Sequence, residues 1–415
     1  MINYPKQLDV IFNKLLNNSI NPFIVGGFVR DCLLQKESKD IDIELYGIQS
    51  FSKLEEILKE FGSVNSFGRS FGVCKLKLGD LDLDFSFARK DSKVSQGHKG
   101  FEVEFDTKLD FKTATSRRDF TINAIAFDVQ SKKILDPFNG INDLKKRVLK
   151  AVDTDKFRED PLRVLRAVQF SSRFHLTIDK KLFKVCQNMV ANRCLNELPK
   201  ERIFLEIQKL LLKSSLPSTG IELLKNIGTF IFFIEFKELD STHYNSTLKA
   251  LDKMSSLKTK DEAKNTLLMF SVLCHKLSSS SSKKLLTKLT TNSSLIAKIL
   301  NILEHKNSLN FNDFIDYDIY TLATKVNIEE FSIFSHAITD SQTTSKNISK
   351  LKIRAQELGV LNAKAVALLQ GRDLLILGMQ PSKEFSKILA KAYIAQISGI
   401  FHTKDDALIW LKKLL

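Results

Sequence analysis

Apolar residues recur at period two in the first third of the chain and at a period near 3.6 thereafter. The short runs "FIVGG" (23–27), "DIDIEL" (40–45), "GVCKLKL" (72–78), "LDLDFSFA" (81–88) and "INAIAFDV" (122–129) predict strands. Helical segments such as "FSKLEEILKEF" (51–61) stand between them, so about the first 130 residues predict an α/β or α+β domain built on one sheet. From about Asp143 the spacing becomes i, i+3, i+4, i+7. "DLKKRVLKAV" (143–152), "DPLRVLRAVQFSSRF" (160–174), "KKLFKVCQNMVANR" (180–193) and "KERIFLEIQKLLLK" (200–213) predict amphipathic helices, and helical patterns continue to Leu415. The serine run at 278–282 predicts a surface loop or a helix start. Between the two regions, "DPFNGINDL" (136–144) supplies turn residues and a helix start at Asn142 or Asp143, a hinge candidate.

Two aspartates interrupt an otherwise apolar strand: Asp40 and Asp42 in "SKDIDIELYG". At period two they share a face, and an unpartnered carboxylate is costly to bury, so an arginine, solvent or a metal ion must complete them. Asp84 lies on a second strand of the same mixed character. Three converging carboxylates suit a pair of hard divalent cations, whereas pairing with Arg89 or a lysine is the plainer role for Asp84. Upstream, the strand of "FIVGGFVRD" runs into Gly26, Gly27 and Arg30, an arrangement in which backbone amides can approach a phosphate. "SRRDFTINAIAFD" (116–128) adds Arg118, suited to phosphate, and Asp119, suited to accept from a ribose hydroxyl.

With 415 residues the chain predicts two to four domains or subdomains. Its 63 Lys+Arg against 48 Asp+Glu leave a formal charge of +15, which favours a polyanionic partner. No run of 18 apolar residues exists; the closest, "IGTFIFFIEF" (227–236), is the size of a core helix. The N-terminal stretch lacks a basic-then-apolar signal layout, so a cytoplasmic location without membrane contact is expected. The five cysteines have no CxxC spacing and read as reduced, buried thiols, not as a zinc site.

Taken in order, "GGFVRD" with "DIDIE", "RRDFTINA", "DPFNGINDL", "EDPLRVLRAVQF" and "KERIFLEI" resemble the five motifs of class II tRNA nucleotidyltransferases (CCA-adding enzymes) and bacterial poly(A) polymerases. The resemblance spans about residues 20–210; "FGRSFGV" and "GHKGFEV" between the motifs also fit, and the run 371–399 is similar to the tail of the CCA-adding branch. It implies an α+β fold: a polymerase-β-like head (about 1–142) for catalysis, a helical neck (143–215) that reads the base, and a helical body (216–330) and tail (331–415) that bind tRNA. The implied reaction adds C, C and A to the tRNA 3′ end from CTP and ATP, releasing pyrophosphate. Two Mg²⁺ ions would be held by Asp40, Asp42 and Asp84, and no obligate protein partner is implied.

The nucleotide would be held by Gly26, Gly27, Arg30, Arg118, Asp119 and Asn123, and its base by Asp160, Arg163 and Arg166. On one helix, Asp160 and Arg163 at i and i+3 share a face; the carboxylate accepts from the exocyclic amine of cytosine or adenine and the guanidinium donates to the ring nitrogen. Guanine and uracil would leave these groups unpaired at roughly 1–3 kcal/mol each.

Gln169 stands where many relatives carry an arginine. In "FSVLCHKLSSS" Lys276 replaces the aspartate of a related phosphohydrolase branch, so His275 reads as a packed helix residue and no phosphohydrolase activity is expected. The segment Ala88–Asp110 corresponds to an element that accompanies the switch from C to A addition, which favours full CCA addition. Poly(A) synthesis and partial CC or A addition share all these motifs. A catalytically dead RNA-binding protein would have lost one of the three aspartates.

Overall fold

The computed structural model describes residues 2–48, 50–65, 72–93, 101–106, 109–308 and 315–415, with backbone alone at 65, 89–93 and 101–105. The segments "FGRSFGV" and "GHKGFEV" therefore lie largely outside the described residues, as do 94–100 and 107–108 of the Ala88–Asp110 segment. The chain divides into two compact units, Met1–Leu210 with Thr219–Phe232, and Leu211–Ser218 with Phe233–Leu415.

The first unit holds a seven-stranded mixed sheet. Its strands are β1 (Asn21–Val25), β2 (Asp40–Tyr46), β3 (Val64–Asn65), β4 (Val73–Leu78), β5 (Leu81–Phe87), β8 (Ala126–Asp128) and β9 (Lys133–Leu135), and a separate hairpin pairs β6 (Arg89–Lys93) with β7 (Phe101–Phe105). The sheet order is β3-β4-β5-β2-β1-β8-β9, and only β2 and β5 run parallel. The alternation of "DIDIEL" and "LDLDFSF" sets its two faces. Ile41, Ile43, Leu83 and Phe85 are buried on one, against α1 (Asp9–Asn17) and α3 (Phe51–Leu58), while the aspartates stand on the other. Helix α2 (Gly27–Leu33) leaves the end of β1 directly, and α4 (Phe111–Thr115) sets Phe111 against Phe23, whose ring also meets Tyr46 on the acidic face.

Three sequence expectations fail beyond the sheet. Helix α5 (Gly140–Lys145) begins before Asn142, because the Asp136 carboxylate accepts from the Gly140 and Ile141 amides at 2.7 and 2.9 Å. It also ends inside "DLKKRVLKAV": Arg147 adopts a left-handed φ of 55°, and the apolar pair that follows forms β10 (Val148–Leu149) beside β11 (Thr177–Ile178). The helices α6 (Thr154–Arg158), α7 (Leu162–Phe174), α8 (Lys180–Ala191), α9 (Lys200–Lys213) and α10 (Pro217–Ile227) follow. "IGTFIFFIEF" is two 3₁₀ turns, Thr229–Ile231 and Ile234–Glu238, not a helix.

The second unit is helical: α11 (Ser241–Ser256), α12 (Glu262–Cys274), α13 (Ser279–Leu289), α14 (Ser293–Glu304), α15 (Asp316–Ala323), α16 (Ile328–Ile338), α17 (Gln342–Glu357), α18 (Gly371–Ile376), α19 (Lys383–Ile397) and α20 (Lys404–Leu414). Every residue of α12 from Asn265 to Cys274 is buried, so α12 is the axis on which α11, α14 and α16 pack. Ser278 caps α13 by accepting from the Ser281 amide, so the serine run is a helix start. Buried His275 lies at the end of α12 with Nδ1 2.7 Å from the Val272 carbonyl, a packed residue as expected. The five cysteines are free thiols, with Cys32 and Cys194 partly exposed, contrary to the reading of all five as buried. No described helix is long and apolar enough to cross a membrane.

Candidate active site

The parallel register of β2 and β5 places Asp42 beside Asp84 and Asp40 beside Asp82, and the antiparallel register of β4 places Lys75 beside Asp84. These side chains line an open cleft of about 690 Å³ with Ser63 and Lys77. The carboxylates of Asp40 and Asp42 have no hydrogen-bond or ion-pair partner among the described residues. Asp42 reaches solvent at the cleft floor, but burial by the surrounding protein pushes its carboxyl above the usual range. Arg118 opposes that shift, and Asp84 and Asp40 reinforce it. A cation would relieve this crowding of like charge. Asp84 is turned to Lys75 at 2.7 Å, and its hydrogen bond raises the lysine pKa. As the side chains stand, no three carboxylate, imidazole or thiol groups among the described residues gather as metal ligands. The Asp84–Lys75 pair is partly exposed, and such pairs contribute about 0–1 kcal/mol, so Asp84 is readily released.

Gly26, at φ +68°, ends β1, and a Cβ there would lie 2.7 Å from Arg118 Nη1. Glycine is therefore what lets the Arg118 guanidinium sit over the turn. Gly27 opens α2, and a Cβ there would meet only Arg30 Nη2, at 3.6 Å. Arg118 also lies 3.8 Å from Glu44, whose buried carboxylate accepts from Arg117 Nη2 at 3.0 Å and from the Tyr46 hydroxyl at 2.6 Å.

Arg30 does not reach this cleft surface. It is 4% exposed, donates from Nε to Asp31 Oδ1 at 2.8 Å and from Nη1 to Asn123 Oδ1 at 2.6 Å, and lies over the Phe170 and Phe174 rings. Asn123 in turn donates to Asp119 Oδ1, which also accepts from the Phe120 amide, while Asp119 Oδ2 takes Arg166 Nε at 2.7 Å and Nη2 at 2.6 Å. Burial pushes the Asp119 carboxyl up, but Arg166 and these hydrogen bonds outweigh it and hold the pKa below its usual range. Both Asp119 oxygens are thus engaged inside the protein.

Asp160 is not on the helix with Arg163. Pro161 is the N-cap of α7, so Asp160 precedes it, and its Oδ1 accepts from the Leu162 amide at 3.0 Å. Asp160 Oδ2 pairs with Arg202 of α9 at 3.2 Å. Arg163 donates to the carbonyls of Lys156 and Arg117 at 2.8 and 2.7 Å, tying α7 to the "RRD" segment. Buried Gln169 leaves its Nε2 without an acceptor among the described residues.

Four residues of the site escape the sequence reading. Glu44 continues the Asp40, Asp42 alternation by two, a signal available in "DIDIEL". Arg202 and Glu206, four apart on α9, back Asp160 and Arg166. Lys75 gives no signal beyond a polar position on β4.

Residues 22–150 match the Poly A polymerase head domain. Among curated proteins, the chain is 34% identical over 270 residues to the Multifunctional CCA protein of Haemophilus ducreyi, covering 61% of this chain and 63% of that protein. It is 35% identical over 221 residues to the Multifunctional CCA protein of Pseudoalteromonas atlantica, covering 52% and 51%. The chain spans less than two thirds of the length of these relatives. Among solved structures, the Bacillus stearothermophilus CCA-adding enzyme in complex with CTP superposes with a TM-score of 0.75 over 99% of this chain and 98% of that one, at 20% identity. An apo form of a CCA-adding enzyme gives a TM-score of 0.71 over 100% and 97%, at 20% identity. The α+β fold and the resemblance to tRNA nucleotidyltransferases are both borne out.

Proposed function

We propose that this protein is a tRNA nucleotidyltransferase that adds CCA to the 3′ end of tRNA from CTP and ATP. The carrying observation is the pair Asp40 and Asp42, whose carboxylates are partnerless among the described residues, with Asp42 level with Asp84 on the open face of the sheet, beside an arginine seated over a glycine turn. Solved CCA-adding enzymes of the same fold, including complexes with CTP and with ATP, support the choice of substrates.

Asp40, Asp42 and Asp84 fit a pair of Mg²⁺ ions by charge and by hardness of donor. When bound, the ions would acidify the primer 3′-hydroxyl and neutralise charge on the departing pyrophosphate. In the reaction the 3′-oxygen forms a bond to the α-phosphorus, the bond from that phosphorus to the bridging oxygen breaks, and pyrophosphate leaves. Arg118 is the cation placed to meet the triphosphate. Buried Arg30, Asn123 and Asp119 and the partly exposed Arg166 form one chain that positions α2 and α7, in place of the direct phosphate and ribose contacts expected from sequence.

Asp160 and Arg163 read the base edge. Arg202 already holds one Asp160 oxygen, and each carboxylate oxygen has two acceptor sites, so an amine of cytosine or adenine can still be accepted. The helical neck, body and tail, with the chain's excess positive charge, bind the tRNA by its backbone in a salt-sensitive way. The place of action is the cytoplasm.

The test offers CTP, ATP, UTP and GTP singly to a tRNA transcript lacking its CCA end. Wild type incorporates C first and rejects UTP and GTP; Asp160→Ala narrows that rejection by about 10–100-fold, the equivalent of one to two lost hydrogen-bond mismatches. A variant that rejects UTP and GTP as strongly as wild type would overturn the base-reading assignment.

A further inference from the structure

Glu44 is fully buried on the acidic face of β2, on the side where Phe23, Tyr46 and Phe111 pack. Its carboxylate is compensated by Arg117 at 3.0 Å, by Arg118 at 3.8 Å and by the Tyr46 hydroxyl at 2.6 Å. For the fold alone, an apolar residue of similar size serves as well or better, because burying an ion pair costs desolvation that its attraction at best repays. What Glu44 adds is direction. Arg118 acts on two carboxylates: Glu44, 3.8 Å from its Nη2, and Asp42, whose carboxylate has no hydrogen-bond or ion-pair partner among the described residues and feels Arg118 as its main favourable charge. Gly26 closes the remaining side, since a Cβ there would displace the same guanidinium.

We infer that Glu44 is a positioning residue that keeps Arg118 off Asp42 and aimed over the Gly26 turn, so that the guanidinium is free for the phosphates of the incoming nucleotide. The inference rests on the proposed nucleotide-binding role of Arg118 and goes beyond it by naming what sets that role. With Glu44 neutral, Arg118 turns to Asp42, the carboxylate on which its charge already acts, and both the phosphate contact and the open acidic pair are lost together. The base-reading groups, which do not touch Glu44, are unaffected.

The experiment is a double-mutant cycle on the full chain with Glu44→Gln, Arg118→Ala and the double variant. Calorimetry in Mg²⁺ buffer reads the affinities for CTP and for inorganic tripolyphosphate, and steady-state kinetics reads KM against kcat for CTP and ATP. Glu44→Gln is expected to weaken tripolyphosphate and to raise KM for CTP and ATP alike by about tenfold, the value of one charge-assisted contact, with tRNA affinity unchanged. The double variant is expected to be no worse than Arg118→Ala alone. Additive losses, or a folded Glu44→Gln variant with wild-type tripolyphosphate affinity, would overturn the inference while leaving the nucleotidyltransferase reading intact. If Arg118→Ala itself binds tripolyphosphate normally, the phosphate role of Arg118 falls and the inference with it. Should Glu44→Gln fail to fold, Tyr46→Phe frees the same carboxylate from its hydroxyl anchor. That variant must then weaken tripolyphosphate several-fold, and unchanged affinity would count against Glu44.

Discussion

Arg30 offers the sharpest contrast between a ligand and a structural cation. The perturbation is Arg30→Met, which keeps most of the side-chain volume and removes the charge. The native guanidinium is 4% exposed, bonded to Asp31 and Asn123, and stacked on Phe174 at 4.5 Å and Phe170 at 5.1 Å. Its loss strands the Asp31 carboxylate, itself 6% exposed, and leaves Asn123 Oδ1 without its donor. Removing one partner of a buried pair costs about 3–5 kcal/mol, and the cation–π contribution of about 0.5–2 kcal/mol overlaps with that figure. For a unit of this size roughly 2–4 °C accompanies each kcal/mol, so the first-unit transition should fall by on the order of 10 °C. Differential scanning calorimetry reads the transition; CTP titration well below it reads the site, where affinity should stay within about threefold of wild type. Adding Asp31→Asn removes the stranded charge and should recover part of the loss. A variant that melts like wild type but binds CTP tenfold more weakly would refute the reasoning and return Arg30 to the phosphate contacts.

Asp42→Asn should abolish nucleotide incorporation while raising the melting temperature at neutral pH. Burial disfavours the ionised carboxylate in the folded state, so removing its charge stabilises the fold; a lowered melting temperature would contradict this. His275 is held neutral by burial, which lowers its pKa from 6.5 to about 4. The stability tied to its neutral form is complete above pH 6.5 and drains as pH falls towards about 4, by about 3 kcal/mol in all at 1.36 kcal/mol per pH unit. Urea unfolding across that range should show a steep loss in wild type and a shallower one in His275→Asn, and equal slopes would refute it. Gly140→Ala should destabilise the first unit by about 1–3 kcal/mol, because a Cβ there would lie 2.2 Å from the Thr121 carbonyl oxygen; chemical denaturation decides.

The strands β2 and β5 and the helix α9 were legible because their periods are uninterrupted and each buries one face. The aspartate cluster was legible for the same reason, since period two fixes which residues share the open side of β2. Glu44 carries the same signal, two residues beyond Asp42 on the same face. "DLKKRVLKAV" misleads because its spacing suits a helix, and the left-handed Arg147 that stops α5 bears no glycine or proline mark. The position of Asp160 outside α7 was implicit in Pro161, which favours the first turn of a helix. The inward turn of Arg30 was not legible. An arginine after a glycine turn looks the same whether it faces a phosphate or the slot made by Phe170 and Phe174, and that slot exists only once α2 and α7 are packed.

The central claim is met most directly by sequencing the products formed from a tRNA transcript lacking its 3′ CCA, incubated with the protein, Mg²⁺ and all four NTPs. Addition of C, C and A followed by a stop is expected, with none from Asp42→Asn. A run of adenylates, or CC or A alone, would contradict CCA addition while keeping the chemistry, and no extension at all would contradict the assignment of Asp40, Asp42 and Asp84 as a nucleotidyl-transfer centre.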